Sequence, residues 1–122
     1  MGMKYFFDSY AIIELLEKAP NFYKYIDQTL IFTVLNVIEV TQFFLSKFGE
    51  AKAKEVCSQI SKFAVEILDE DILRAVTFRE EHKKKSLSYA DCLGYTFAKS
   101  HNLIFLTGDD AFKDMTNVEF VK

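Results

Sequence analysis

Five short apolar runs alternate along the chain with longer segments in which apolar residues recur at helical spacing. The runs lie at residues 3–7, 29–33, 64–68, 103–106 and 118–121. Short apolar runs predict buried strands, and apolar residues at every third or fourth position predict helices that cover them. Because strands separated by helices favour a parallel sheet with right-handed crossovers, the predicted fold class is α/β. We expect three layers (α/β/α) and a central, mostly parallel sheet of about five strands.

Local sequence signals mark several helix boundaries. Pro20 stops the first helix and can open the next one at its first turn. Gly49 is placed to end a long helix in the middle of the chain, and Asp69 can cap a second long helix. Ser88 precedes a further helix, and Asp91 follows it by three residues in a capping-box-like arrangement.

A chain of 122 residues is predicted to form a single domain, residues 1–122, because it has no room for two cores. Half of the residues are apolar, 27% are charged, and the mean hydropathy is +0.03. Charged residues interrupt the apolar runs before 18 residues, so no membrane span is predicted. No signal peptide is recognisable at the start of the chain, and we expect a cytoplasmic location.

The net charge of −3 and the pI of about 5.4 provide no overall attraction for nucleic acids. Any contact with RNA or DNA therefore has to be local. The two cysteines, Cys57 and Cys92, stand far apart in helical segments and are not spaced as zinc ligands. We expect them to be reduced residues of the core.

Four acidic residues lie near the carboxyl ends of the predicted strands. Asp8 directly follows the first strand, and Asp109 comes two residues after Thr107, just beyond the fourth strand. Glu39 lies within two turns of the start of the helix after the second strand, and Asp91 lies in the first turn of the helix before the fourth. Functional crevices in open α/β sheets form at this edge. We therefore expect all four carboxylates to meet there.

Clustered carboxylates raise one another's pKa values, and a divalent cation relieves their repulsion. His82 and His101 lie away from the strand ends, so the available ligands are oxygens, which suit Mg²⁺ or Mn²⁺ better than Zn²⁺. Such ions are typical of phosphodiester hydrolysis. Glu39 is the most informative acid, because it stands in a largely apolar helix where an unpaired charge is costly. Asn36 gives it a polar neighbour on the same helix face.

Local roles are also open to some of these acids. Asp91 can serve only to complete the Ser88 cap, in which case it needs no metal. Asp109 or Asp110 can serve only as a turn or N-cap residue for a short helix around Phe112. The residues by themselves leave these alternatives open.

The segments that carry the acids resemble PIN-domain nucleases, and among them the short VapC-like toxins of prokaryotic toxin–antitoxin pairs. The resemblance extends over essentially the whole chain. It rests on FFDSYAIIELL near the start, NVIEV in the middle and SYADCLGYTFAKSHNLIFLTGDDAF near the end, in this order. In the family's T-x-D-x-x-F pattern, Thr107, Asp109 and Phe112 take the named positions, which favours Asp109 over Asp110.

Carried over residue by residue, the family's acidic site falls on Asp8, Glu39, Asp91 and Asp109. The resemblance implies that Asp8, Asp91 and Asp109 hold one or two Mg²⁺ or Mn²⁺ ions, directly or through water. Glu39 would help to hold the metal or position the attacking water. The predicted supporting residues are Ser9, Asn36, Thr107 and Asp110.

The implied activity is metal-dependent cleavage of RNA that leaves a 5′-phosphate and a 3′-hydroxyl. The resemblance also implies a homodimer and a small antitoxin protein whose C-terminal segment covers the groove. Lys83, Lys84 and Lys85 are candidates for contacts with the RNA backbone. Alternatively, they form a solvated helix end in which Lys84 pairs with Glu80 and Lys85 with Glu81.

Other functions fit the sequence less well. A phosphatase with an aspartyl nucleophile after the first strand typically carries a second acid two residues later, and here Tyr10 stands in that place. A dinucleotide-binding domain needs a glycine-rich turn after the first strand, which this chain lacks. A non-catalytic PIN-like module that binds RNA or protein without cutting remains the alternative.

Overall fold

The structure, a computed structural model, describes residues 3–122. Residues 1–2 of the predicted domain lie outside this range. The strands are β1 (Tyr5–Phe7), β2 (Ile104–Thr107) and β3 (Val118–Phe120). They form a parallel sheet in the order β1-β2-β3, with Tyr5 opposite Ile104 and Phe105 opposite Val118.

Five α-helices and three short 3₁₀ turns account for the regular structure outside this sheet in residues 3–122. The helices are α1 (Ser9–Leu16), α2 (Val34–Phe48), α3 (Glu50–Ser61), α4 (Asp69–Glu81) and α5 (Tyr89–Ser100), and the turns are Pro20–Tyr25, Lys83–Lys85 and Asp110–Phe112. None of these helices combines the length with the apolarity that crossing a bilayer requires.

Successive strand residues face two hydrophobic clusters, one on each side of the sheet. Phe7 of β1 and Leu106 of β2 belong to a cluster with residues of α1, α2 and α3. Phe6 and Phe105, one position earlier on each strand, belong to a cluster whose helical residues come mainly from α5, with Ala75 from α4. Because both faces of the sheet are covered, β1 and β2 are apolar except for Thr107 at the end of β2. The predicted three-layer α/β class is confirmed.

The second and third predicted strands are shorter pieces of extended chain than we expected. Ile31 forms an isolated parallel bridge with Phe6, and its carbonyl accepts the N–H of Phe7 at 2.8 Å. Beyond it, the N–H of Val65 donates to the carbonyl of Phe32 at 2.8 Å. Both segments therefore extend the sheet past β1, but three strands rather than five form regular ladders in the described part of the chain.

At the starts of α2 and α4, capping side chains accept backbone N–H groups that full strands at residues 29–33 and 64–68 would need for sheet pairing. The N–H of Thr33 donates to Asn36 Oδ1 at 2.9 Å, and the N–H of Leu68 donates to Asp71 Oδ2 at 2.9 Å. Side chains that bind nearby backbone compete in this way with sheet pairing. The cap predicted at Asp69 is wrong by one position, because Asp69 is the first residue of α4 and Leu68 precedes it as the N-cap.

Helix α5 packs closely against the sheet at Gly94. A Cβ atom at this position would lie 2.6 Å from Phe6 Cε1 and 3.0 Å from Phe105 Cε1. We expect Gly94→Val to lower the free energy of unfolding by about 1–3 kcal/mol, because overpacking forces core side chains off their rotamers. Urea unfolding measures the change, with the exposed Ala51→Val in α3 as a matched control. Equal midpoints for the two variants would contradict this close packing.

Candidate active site

Asp8 stands at the junction of β1 and α1 and is almost fully buried, with 3% of its surface exposed. It is the N-cap of α1, and its Oδ1 accepts the N–H of Ala11 at 2.8 Å. Its Oδ2 accepts the hydroxyl of Thr107 at the end of β2. These contacts fix the carboxylate at the carboxyl edge of the sheet.

Burial raises the pKa of Asp8 to about 7, from an ordinary value of 3.8. Repulsion from the carboxylates of Asp91 and Asp109 adds to the increase, while hydrogen bonds from Thr107 and Ala11 partly offset it. The charged form of Asp8 is therefore unfavourable in the folded protein. A cation in the same pocket would reverse that preference.

Asp109 is tied to the same threonine as Asp8. Its N–H donates to Thr107 Oγ1 at 3.0 Å, so one hydroxyl connects the two acidic residues. Asp109 Oδ1 accepts the N–H of Ala111 at 3.0 Å and caps the turn Asp110–Phe112. The turn-cap role and the position near Asp8 are thus compatible.

Asp110, the neighbouring acid, points outward instead. Its side chain is 74% exposed and pairs with Lys122 at 3.2 Å. The Lys122 ammonium also donates to the carbonyl of Gly108 at 3.2 Å. Asp110 therefore lies on the rim, where a cation already pairs with it.

Asp91 forms a reciprocal cap with Ser88 at the start of α5. Its Oδ2 accepts the N–H of Ser88 at 3.0 Å, and its own N–H donates to Ser88 Oγ at 3.0 Å. Burial raises the pKa of Asp91, and repulsion from Glu39 and Asp109 adds to the increase against the lowering effect of Ser88. Asp91 therefore caps the helix and also interacts with the other acids.

Glu39 is oriented by a chain of two hydrogen bonds that starts at the buried Asn36 and passes through the half-buried Ser9. Asn36 Nδ2 donates to Ser9 Oγ at 3.1 Å, and the Ser9 hydroxyl donates to Glu39 Oε1 at 2.6 Å. Asn36 is itself held by the backbone of Thr33 at the start of α2. Helices α1 and α2 therefore fix the direction of the Glu39 side chain.

The four acids lie close enough together to influence one another's ionisation, and so share one edge of the molecule. Among residues 3–122, no three His, Cys, Asp or Glu side chains form a group that could hold a metal ion by themselves. Mg²⁺ commonly binds one or two protein carboxylates and keeps several waters. The oxygen-only donor set therefore fits an ion that is bound partly through its waters.

Two lysines flank the Asp109 turn. Lys85 donates to the carbonyl of Ala111 at 3.1 Å, and Lys122 lies on the other side of the turn. Lys85 is one of the predicted RNA contacts. Lys122 was missed, because its position depends on how the chain after β3 returns to the loop after β2.

The other two predicted RNA contacts lie on the 3₁₀ turn after α4. Lys83 pairs with Glu80 at 3.4 Å, and both side chains are well exposed. The alternative pairs, Glu80 with Lys84 and Glu81 with Lys85, do not form, because the helix ends before the lysines. Within the described residues the Lys84 side chain makes no hydrogen bond or ion pair.

The PIN domain family model matches residues 5–118. A toxin–antitoxin complex from Klebsiella pneumoniae contains a similar chain (TM-score 0.69, 18% identity, 95% of each chain covered). A similar chain also occurs in VapBC2 from Rickettsia felis bound to a promoter DNA fragment (TM-score 0.65, 17% identity, 98% of each chain covered). No curated protein sequence matches the chain. The family match covers nearly the whole length and the neighbours share the fold, and the chain therefore belongs to the PIN domain family.

Proposed function

We propose that this protein is a Mg²⁺- or Mn²⁺-dependent endoribonuclease and the toxin of a VapBC-type toxin–antitoxin pair. The observation that carries the proposal is the mutual electrostatic influence of Asp8, Asp91 and Asp109 at the carboxyl edge of the sheet, with Glu39 acting on Asp91. Buried carboxylates that repel one another destabilise the fold, and a bound cation compensates for that cost. Such perturbed groups cluster at functional sites.

Each acid has a distinct role in this proposal. Asp8, Asp91 and Asp109 would hold one or two ions, directly or through water. When bound, such an ion would supply polarisation of a phosphoryl oxygen and a more acidic water. Glu39, aimed by Ser9, helps to hold the ion or positions the attacking water. Attack on phosphorus breaks the bond to the 3′ oxygen, which takes a proton, so that the products carry a 5′-phosphate and a 3′-hydroxyl.

The RNA backbone is negatively charged, so binding it beside four carboxylates requires positively charged side chains nearby. Lys84 and Lys85 are the predicted contacts whose ammonium groups have no acidic partner in residues 3–122, and Lys85 lies beside the Asp109 turn. Lys83 already pairs with Glu80 and contributes less. Since each phosphate contact releases counterions, RNA binding is expected to weaken as salt rises.

The proposed partners are a small antitoxin and a second copy of the chain, in the cytoplasm. One structural neighbour is described as a toxin–antitoxin complex, and another as VapBC2 bound to promoter DNA. Large apolar side chains are exposed along two helices of this protein, among them Val34 and Ile38 of α2 and Ile72 and Val76 of α4. Exposed apolar surface of this kind is typical of protein interfaces.

The decisive experiment is a cleavage assay on 5′-labelled single-stranded and structured RNAs with Mg²⁺, Mn²⁺ or EDTA. We expect cleavage with either metal and none with EDTA. Asp91→Asn is expected to reduce the rate about 100- to 1,000-fold, because one charge that stabilises the transition state is lost. The amide oxygen can still accept the Ser88 N–H, so the helix cap survives.

Asp27→Asn is the matched control, because Asp27 is exposed and lies near Tyr5 at the amino end of β1. It is expected to cleave at the wild-type rate. The alternative function is a PIN-like module that binds RNA or protein without cutting. RNA binding without any metal-dependent cleavage would select that alternative.

A further inference from the structure

Tyr89 lies outside the hydrophobic core, in the same helical turn as Asp91 of the acidic site. Tyr89 is the first residue of α5, and 57% of its surface is exposed. It belongs to neither hydrophobic cluster, and its hydroxyl makes no hydrogen bond with residues 3–122. Tyrosine is among the residues enriched at binding surfaces, because its ring combines apolar area with a polar tip.

One face of this ring is covered by an arginine. The guanidinium carbon of Arg79 lies 4.1 Å from the centre of the Tyr89 ring, a close cation–π stack. Arg79 Nε donates to the carbonyl of Leu87 at 2.9 Å, which fixes the guanidinium against the ring. The ring therefore has a defined orientation although it is exposed.

The rest of the Arg79 guanidinium is available for a ligand. Among residues 3–122 no acidic side chain pairs with it, and its terminal N–H groups make no hydrogen bond. Arg74, the other arginine of the chain, instead pairs with the buried Asp71 at 3.1 Å. Arg79 is thus the arginine that can offer a two-pronged contact to a phosphate.

The Arg79–Tyr89 stack and the acidic site are held by neighbouring residues of the same segment. Leu87, which holds Arg79, directly precedes Ser88, whose N–H and hydroxyl fix Asp91. Tyr89 stands two residues before Asp91 in the first turn of α5. Residues two positions apart on a helix point to different faces, so a nucleotide next to the one at the carboxylates, and not that nucleotide itself, would reach the ring.

We propose that Tyr89 stacks against a base of the RNA next to the cleaved phosphodiester, while Arg79 fixes the ring and contacts a flanking phosphate. This inference rests on the proposed function, and it names the residues that hold a single-stranded substrate. An aromatic ring with an adjacent cation is the usual way to bind single-stranded RNA with little sequence preference. A phosphate of that strand would supply the anionic partner that the Arg79 guanidinium lacks among residues 3–122.

The test uses a short single-stranded RNA that contains 2-aminopurine, bound to Asp8→Asn protein in EDTA so that no cleavage interferes. Tyr89→Leu on this background is expected to weaken binding about 10-fold and to remove the quenching of 2-aminopurine by stacking. Tyr89→Phe should retain both, because it keeps the ring. Arg79→Gln should weaken binding and reduce its salt dependence by about one phosphate contact.

Tyr23→Leu is the matched control, because Tyr23 is 60% exposed on the Pro20–Tyr25 turn, outside the acidic site. It should bind RNA like the parent. Equal binding and quenching by Tyr89→Leu and the parent would overturn the proposal. So would a Tyr89→Leu protein that loses only its binding to the antitoxin, since the ring would then belong to a protein interface.

Failure of this inference is distinguishable from failure of the proposed function. If the wild type cleaves RNA and the Tyr89→Leu variant has a normal KM and Kd, only the stacking role is rejected. A wild-type protein that never cleaves, but loses RNA binding on Tyr89→Leu, rejects the nuclease and leaves the stacking surface as part of a binding module.

Discussion

Asp8→Asn is expected to abolish RNA cleavage and, at pH 8, to make the metal-free protein more stable than the wild type. The pKa of Asp8 is about 7 in the folded state against 3.8 for an ordinary aspartate. A difference of about three units corresponds to about 4 kcal/mol that ionisation of Asp8 takes from the folded state. The neutral amide removes this cost.

Part of this stabilisation is offset, because the Asp8→Asn substitution weakens the hydrogen bonds around residue 8. Asp8 accepts both the Ala11 N–H and the Thr107 hydroxyl, and an amide has one oxygen for these two donors. The Thr107 proton would be left without an acceptor, at a cost of about 1–2 kcal/mol. We therefore expect a net stabilisation of about 2 kcal/mol above pH 7.

The sign of the pH dependence follows from the direction of the shift. The folded-state pKa of Asp8 is raised, so the wild-type protein has its full free energy of unfolding while Asp8 is protonated in both states. That free energy falls as pH rises from about 4 to 7. Urea unfolding in EDTA should give a gap between variant and wild type at pH 8 that closes or reverses at pH 4. Adding Mn²⁺ should raise the melting temperature of the wild type more than that of Asp8→Asn. A gap independent of pH would contradict the shifted pKa.

Gly108→Ala is expected to reduce cleavage about 100-fold by moving the Asp109 turn. A Cβ atom at Gly108 would overlap the Tyr10 ring and the backbone oxygen of Val121. The Val121 backbone cannot retreat easily, because its N–H donates to the Thr107 carbonyl at 2.8 Å. The loop must therefore move, and a displacement of about 1 Å at a catalytic group lowers the rate about 100-fold.

The same substitution should lower the free energy of unfolding by about 1–3 kcal/mol, as overpacking does. Cleavage is therefore compared well below the melting temperature of the variant, so that unfolding does not account for the loss. The double variant Gly108→Ala with Tyr10→Leu should remain impaired, because the clash with the Val121 oxygen persists. A destabilised Gly108→Ala protein with a normal kcat would disprove the link between this packing and the site.

The sequence predicted the class of the fold and the order of its elements better than the extent of the sheet. Apolar periodicity located β1, β2 and β3 and all five helices, because each buries an apolar face. It also predicted full strands at residues 29–33 and 64–68. There the cap side chains Asn36 and Asp71 take backbone donors at Thr33 and Leu68, and propensity does not reveal that competition.

The candidate acids were found from the sequence because strand ends and helix starts are marked by short local patterns. What these patterns did not contain is the set of contacts between distant segments. The hydroxyl of Thr107 connects Asp8 with Asp109, and the hydroxyl of Ser9 connects Asn36 with Glu39.

By itself, the sequence determined the layered α/β class and the acids at the strand ends, because apolar spacing and cap positions are properties of neighbouring residues. The PIN family was indicated separately, by the resemblance of three sequence segments. The tertiary structure alone decided how these acids are buried and coupled. It also decided where Lys85 and Lys122 lie, and that Arg79 covers Tyr89. Burial, charge repulsion and stacking depend on distances through space, and these exist only once the helices have packed on the sheet.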